Sequence, residues 1–185
     1  MANLLIQSIW FFFFQAYTWW GWILSTLDIF AMLATAVYMM MVSTRSEVNG
    51  WEWVFVRSQL SIYSGWLTAA SILNVVLMLK FFGVEDPDLT WLDEEQLSVG
   101  LLWIALGIYN LASYIELNPL FGAIFLWVIF TIRNKVMDER PEKTMLISNL
   151  EYIGVTHLLT MTGLLSSLST VSIYDVGDLT RGLFY

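Results

Sequence analysis

An all-α, polytopic membrane helical bundle of about five to six transmembrane helices is the fold class that three observations predict. Apolar residues make up 58% of the 185-residue chain and charged residues only 13%, where a soluble domain carries about 25% charged. Apolar runs of transmembrane length, about 20 residues each, recur along the chain with short polar loops between them. The charges gather in those loops, leaving one carboxylate, Asp28, and the sole histidine, His157, inside apolar stretches. Residues 1–185 therefore read as a single membrane domain with no room for a large soluble one.

The first run, Leu4 to Phe14, is apolar apart from Gln7 and Ser8. It is shorter than the roughly 17 residues a span requires, so a short, tilted or protein-shielded helix is expected. Trp19 to Val42 is a full span of helix-forming Leu, Ala and Met, and it contains Asp28. After the loop STRSEVNGWEW, Ser58 to Phe82 form a third span, with Arg57 at its entrance and Lys80 near its exit, placed to snorkel towards headgroups. Gly83, Pro87 and six carboxylates (Glu85, Asp86, Asp88, Asp93, Glu94, Glu95) then mark an aqueous loop. Thr90 is placed to cap a helix entering at Trp91 and running to about Ser113, with acidic residues in its first turn favoured by the helix dipole. A tight break follows at Ile115 to Pro119, since proline lacks an amide donor and suits a first helical position. Leu120 to Ile132 complete a helical hairpin. RNKVMDERPEKT reads as a mixed-charge loop, and Met145 to about Ile173 as a final helix rich in Ser and Thr before a short polar tail.

Composition also bounds the chemistry. Eight basic residues against 16 acidic disfavour nucleic acid, which needs a basic stripe. Without cysteine there is no disulfide or thiolate metal site, and one histidine cannot form an imidazole pair. No Gly-rich phosphate loop, metal-ligand spacing or nucleophile elbow occurs in the sequence, so neither an enzyme nor a cofactor or metal site is expected. The acidic loop lacks EF-hand spacing and reads as a solvated face or a docking site for a basic partner. The amino terminus has no Lys or Arg before its apolar run, and Ala2 stands where myristoylation requires glycine. Delivery through internal hydrophobic signals is expected. Asp28 is a candidate functional carboxylate, because an unpaired charge in hydrocarbon is costly; an interhelical hydrogen bond is the alternative. His157, with Thr160 on its face and Glu151 and Thr156 nearby, reads first as a hydrogen-bonded helix contact and second as a proton relay or axial ligand.

Two stretches carry a family likeness. Gln7-x-x-Trp10-x-x-x-Phe14, followed by Gly21-Trp22-x-Leu24, and then Tyr63-x-x-Trp66 with Asn74 further along the same helix, resemble the third to fifth helices of the tryptophan-rich TspO/MBR family, also called translocator proteins. Positions 63, 66, 70 and 74 recur at three or four residues, which is helical spacing, so Tyr63, Trp66, Ala70 and Asn74 are expected on one face. The resemblance covers about residues 3–75, leaving 95–173 as an additional helical region. It implies a five-helix pocket for porphyrins, sterols or similar flat apolar ligands, with Trp10, Trp22, Tyr63, Trp66 and Asn74 as the ligand-binding set. The family's first two helices have no counterpart before Gln7, and its paired prolines are replaced by Phe11 and Phe12.

The incomplete pocket, the lack of a catalytic set and the minimal soluble mass lead to a first functional expectation. It is a non-catalytic accessory subunit of a large membrane complex, a respiratory-chain assembly of the mitochondrial inner membrane, with other membrane-protein subunits and structural lipids as partners. The alternative is a stand-alone TspO-like binder or transporter of tetrapyrroles, sterols or lipids.

Overall fold

The computed structural model describes residues 2–45, 51, 53–83, 94–115 and 118–182, the side chains of 2, 44, 45, 53, 54, 94 and 170–182 excepted. Six α-helices follow one another: α1 (Ala2–Phe14), α2 (Trp19–Arg45), α3 (Ser58–Phe81), α4 (Glu94–Ile115), α5 (Pro119–Glu139) and α6 (Thr144–Gly182), with a π-helical turn at Trp53–Arg57 leading into α3. Among the described residues, α2, α3 with its lead-in turn, α4 and α5 are long and apolar enough to cross a membrane. A helix satisfies every backbone donor within its own segment, which is why apolar runs in lipid take this form.

Several boundaries move from their expected places. The stretch RNKVMDE continues α5 to Glu139 instead of forming a loop, because no proline or glycine interrupts it before Pro141. The connection to α6 is only residues 140–143, and α6 itself runs on to Gly182, past the expected end at Ile173. Thr90, Trp91 and most of the acidic loop lie outside the described residues. Its last member, Glu95, uses Oε1 to accept the Leu146 backbone N–H at 2.7 Å, capping the start of α6. The expected break at Pro119 is present: Asn118 is the N-cap and accepts from Phe121 N–H at 3.4 Å, with proline in the first turn. The same Asn118 donates through Nδ2 to Ser61 Oγ at 2.6 Å, fastening the α4–α5 turn to the start of α3. Arg57 donates through Nη2 to the Ser43 carbonyl of α2 at 2.7 Å, an interhelical bond where a headgroup contact is expected.

α2 packs between α1 and α3, while α4, α5 and α6 pack on one another and meet α3 through α4 and α5. The buried side of α3 is rich in small residues, Ser61, Ser64, Gly65, Thr68 and Ser71, and it meets α5 at Gly65. Such residues let backbones approach closely in lipid. A Cβ at Gly65 stands 3.0 Å from the Phe121 carbonyl oxygen, so no larger residue fits without moving a helix. The main core gathers Tyr109, Phe125, Ile129, Leu150 and Ile153. A smaller one joins Met32, Ala36 and Leu67 to Ile6, Trp10 and Tyr63.

α1 covers only part of α2. Asn3, near its start, donates through Nδ2 to the carbonyl of Met32 at 3.0 Å and to Thr35 Oγ1 at 2.7 Å, and Met32 is the middle residue of the 27-residue α2. At 1.5 Å per residue α1 is about 20 Å long, against a hydrocarbon core of about 30 Å. One turn beyond Thr35, Tyr38 and Met39 remain exposed on α2.

Candidate ligand-binding cavity

The helices α3, α4 and α5 do not close on one another along their whole length. Between them lies a half-open cavity of about 620 Å³, walled by Trp66, Ala70 and Leu73 from α3, Leu102, Ala105 and Tyr109 from α4, and Phe125, Val128 and Ile132 from α5. Its volume is in the range of small-molecule sites, and its walls have their character, mostly apolar with a few placed polar groups. The cavity exists because small residues face it where the flanking helices carry large ones: Ala69, Ala70 and Ala105 line it between an aromatic end and a charged end. At the aromatic end, Tyr109 stacks on Phe125 with ring centroids 4.6 Å apart, and its hydroxyl donates to the Gly65 carbonyl. Trp66 and Trp127 meet there at 5.3 Å and are 47% and 56% exposed, so one flank of the pair is open to the surroundings. At the charged end, Lys80, Lys135, Arg140 and Lys143 stand with Glu95 and Glu139.

Of the five residues expected to bind ligand, only Trp66 lines this cavity. Successive residues turn by about 100° in an α-helix, which puts Trp66 about 60° away from Tyr63 and about 80° away from Asn74. The one expected face is therefore two. Tyr63 turns to α1, donating through its hydroxyl to Asn3 Oδ1 at 2.6 Å. Asn74 is buried against α2, where its Oδ1 accepts from Thr26 Oγ1 at 2.8 Å and from Ser25 Oγ at 3.4 Å. Trp10 and Trp22 belong to an aromatic file: Trp10 stacks on Phe14 at 4.9 Å, Phe14 meets Trp22 at 5.4 Å, and Trp22 reaches Phe81 at 5.9 Å. The indole N–H groups of Trp10 and Trp22, the Asn74 amide nitrogen and one Asp28 carboxylate oxygen are all buried without a hydrogen-bond partner. With Ser64 Oγ of α3, five buried side-chain polar atoms are thus left unsatisfied among the described residues of α1, α2 and α3, the helices that carry the family likeness. Replacing Asn74 by alanine breaks the α2–α3 bonds, and about 1 kcal/mol of stability is expected to go with them; thermal unfolding in detergent measures it.

His157 is completely buried, and its partners come from other helices. Its Nδ1 lies 2.5 Å from Asn110 Oδ1 on α4 and its Nε2 lies 2.8 Å from the Gly122 carbonyl on α5. Phe125 closes on the ring edge-to-face at 5.1 Å. With one proton on Nε2 the Asn110 amide has to present its NH₂ group to Nδ1; with both nitrogens protonated it presents its oxygen. None of the three expected neighbours is a partner: Thr160 donates back to the Thr156 carbonyl, Thr156 to the Tyr152 carbonyl, and Glu151 pairs with Arg133 on the surface. A single residue from each of three helices forms this knot, a juxtaposition that spacing along one helix does not reveal. Among the described residues no cluster of three His, Asp or Glu side chains is placed to hold a metal.

Apolar helices of membrane-crossing length, packed through small residues around a half-open apolar cavity, define a polytopic helical membrane protein. The chain belongs to the TSPO-like protein family, whose model matches residues 1–165. That match is longer than the stretch of residues 3–75 that carries the recognisable motifs, and takes in α4, α5 and the first half of α6. No curated protein and no solved structure matches the chain.

Proposed function

We propose that this TSPO-like membrane protein is a non-catalytic binder that holds an apolar small molecule, a tetrapyrrole, sterol or lipid, in the cavity between α3, α4 and α5. The observation that carries this reading is the cavity itself, of about 620 Å³ with apolar walls, an aromatic pair at one end and charges at the other. Membership of the family supports it. Titrating the purified chain with a porphyrin is expected to quench tryptophan fluorescence saturably. Trp66→Ala removes one stacking surface, worth about 1 kcal/mol, and weakens binding several-fold. Ala70→Trp fills the space from a half-buried position and abolishes saturable quenching while helicity by circular dichroism is unchanged. Linear quenching that neither variant alters refutes the reading.

A second reading is favoured by the short α1, beyond which Tyr38 and Met39 of α2 are exposed. On this reading the chain is an accessory subunit of a larger membrane complex, a respiratory assembly of the mitochondrial inner membrane, and a neighbouring subunit covers the ground α1 leaves bare. Extraction in mild detergent followed by a native gel separates the two: co-migration with other subunits supports it, and a lone monomer or dimer counts against it.

A further inference from the structure

Trp19 and Trp20 open α2 as exposed indoles, the side chains that favour a membrane interface. Asp28 lies nine residues after Trp19, about 14 Å along the helix at 1.5 Å per residue, near the middle of a hydrocarbon core about 30 Å thick. A carboxylate at that depth is costly and calls for a partner. Among the described residues it has none: Asp28 forms no hydrogen bond or ion pair, and its Oδ2 is buried without a donor. α2 itself holds no Lys or Arg before Arg45 at its end. The nearest polar group on α1 does not supply the want. Asn3 bonds to Met32 and Thr35, and Phe14 meets Trp22, so the antiparallel register sets Trp10 level with about Thr26 to Asp28. The Trp10 indole N–H is itself buried without an acceptor, so the two groups do not bond each other, and an indole has no charge to offer.

Asp28 is only half-buried, and its surroundings on α2 open outwards. Leu24 and Ala31, one turn to either side on the same face, are exposed, as is Leu27 beside it. Two turns beyond Ala31, exposed Tyr38 continues that stripe. We propose that this face of α2 takes a transmembrane helix of another protein that carries a lysine or arginine level with Asp28. The proposal rests on the accessory-subunit reading for the presence of a neighbour; the chemistry of the contact is its own. A basic side chain neutralises the carboxylate and donates to it, while the helix that bears it covers Leu24, Ala31 and Tyr38. A proton alone removes the charge and leaves that face bare. A second copy of this chain, packed face to face, brings a second carboxylate to the same place.

The test uses the full chain in liposomes with dansyl-labelled leucine–alanine peptides that span the bilayer, lack tryptophan and carry one central Lys, Gln or Glu. Energy transfer from the chain's tryptophans to dansyl reports association. The Lys peptide is expected to associate about tenfold more tightly than the Gln peptide, the scale of a good interhelical polar contact in lipid. Asp28→Asn keeps the shape and loses the charge, so the two peptides then associate equally, while Asp28→Glu retains the preference. Equal association of both peptides with the unaltered chain overturns the proposal. So does a Lys preference that survives Asp28→Asn, which reflects the chain's overall negative charge, and so does tightest association of the Glu peptide, the mark of carboxyl groups sharing a proton. The native gel keeps the two readings apart. If the unaltered chain co-migrates with other subunits but no peptide is preferred, the subunit reading stands and this contact falls. If the Lys peptide is preferred and the chain runs alone, the contact stands and the respiratory-subunit reading falls.

Discussion

Replacing His157 by leucine is expected to lower the unfolding free energy by about 3 kcal/mol, because it strands the Asn110 side-chain amide and removes the second donor of the Gly122 carbonyl, which keeps its helical bond, in the buried centre of α4, α5 and α6. Each buried group left without a partner costs roughly 1–3 kcal/mol, and the ring's edge-to-face contact with Phe125 goes as well. His157→Gln keeps one of the two bonds and is expected to fall about midway. The measurement is the denaturation midpoint of the detergent-solubilised protein followed by tryptophan emission. Leucine tolerated without loss, combined with a loss of function, moves His157 from structural partner to proton-handling group.

Gly65→Leu is expected to cost a similar amount, about 3 kcal/mol, by overpacking. The added side chain meets the Phe121 carbonyl oxygen, 3.0 Å from where its Cβ falls, and the Ile124 side chain at 3.1 Å. Backbone cannot rotate out of the way as a side chain does, so α3 and α5 have to part, and the Tyr109 hydroxyl loses its acceptor geometry at Gly65. Because the parted helices are two walls of the cavity, ligand quenching is expected to weaken with the same variant. Gly107→Ala is the control: a Cβ there meets nothing within 4 Å, and stability is expected to hold. Equal effects of the two substitutions remove close approach as the reason for glycine at position 65.

Membrane character, the short first helix and the break at Pro119 are legible in the sequence because each rests on a local property: run length, charge placement or a missing amide donor. Family membership is legible from Trp10, Trp22, Tyr63 and Asn74 for the same reason. The arrangement of the bundle is harder to read. In water, an apolar stripe marks the face a helix buries, whereas in lipid the outward face is just as apolar, so Ala70 and Ala105 carry no mark that they border a cavity. His157 illustrates the other barrier. Its partners, Asn110 and Gly122, lie on two other helices, 47 and 35 residues away in sequence, and the nearer candidates on its own helix, Thr160 and Glu151, are engaged elsewhere. The single-face reading of α3 fails through angle: a spacing of three from Tyr63 to Trp66 falls short of a full turn, enough to send the tryptophan to the cavity and leave the tyrosine with Asn3.

The anchoring of Asn3 beside the middle of α2 bears on the bilayer as well as on the protein. On one flank the lipid meets α1, about 20 Å tall, and on the other the full spans of α4 and α5, each above 30 Å at 1.5 Å per residue. A membrane that matches both has to change thickness around a single molecule, at a cost of fractions of a kcal/mol for every ångström of mismatch. Where α1 stops, lipid on that flank meets the exposed residues of the second half of α2, so the short helix is a step in the apolar surface and bilayer thickness is a variable that the protein's stability is expected to register.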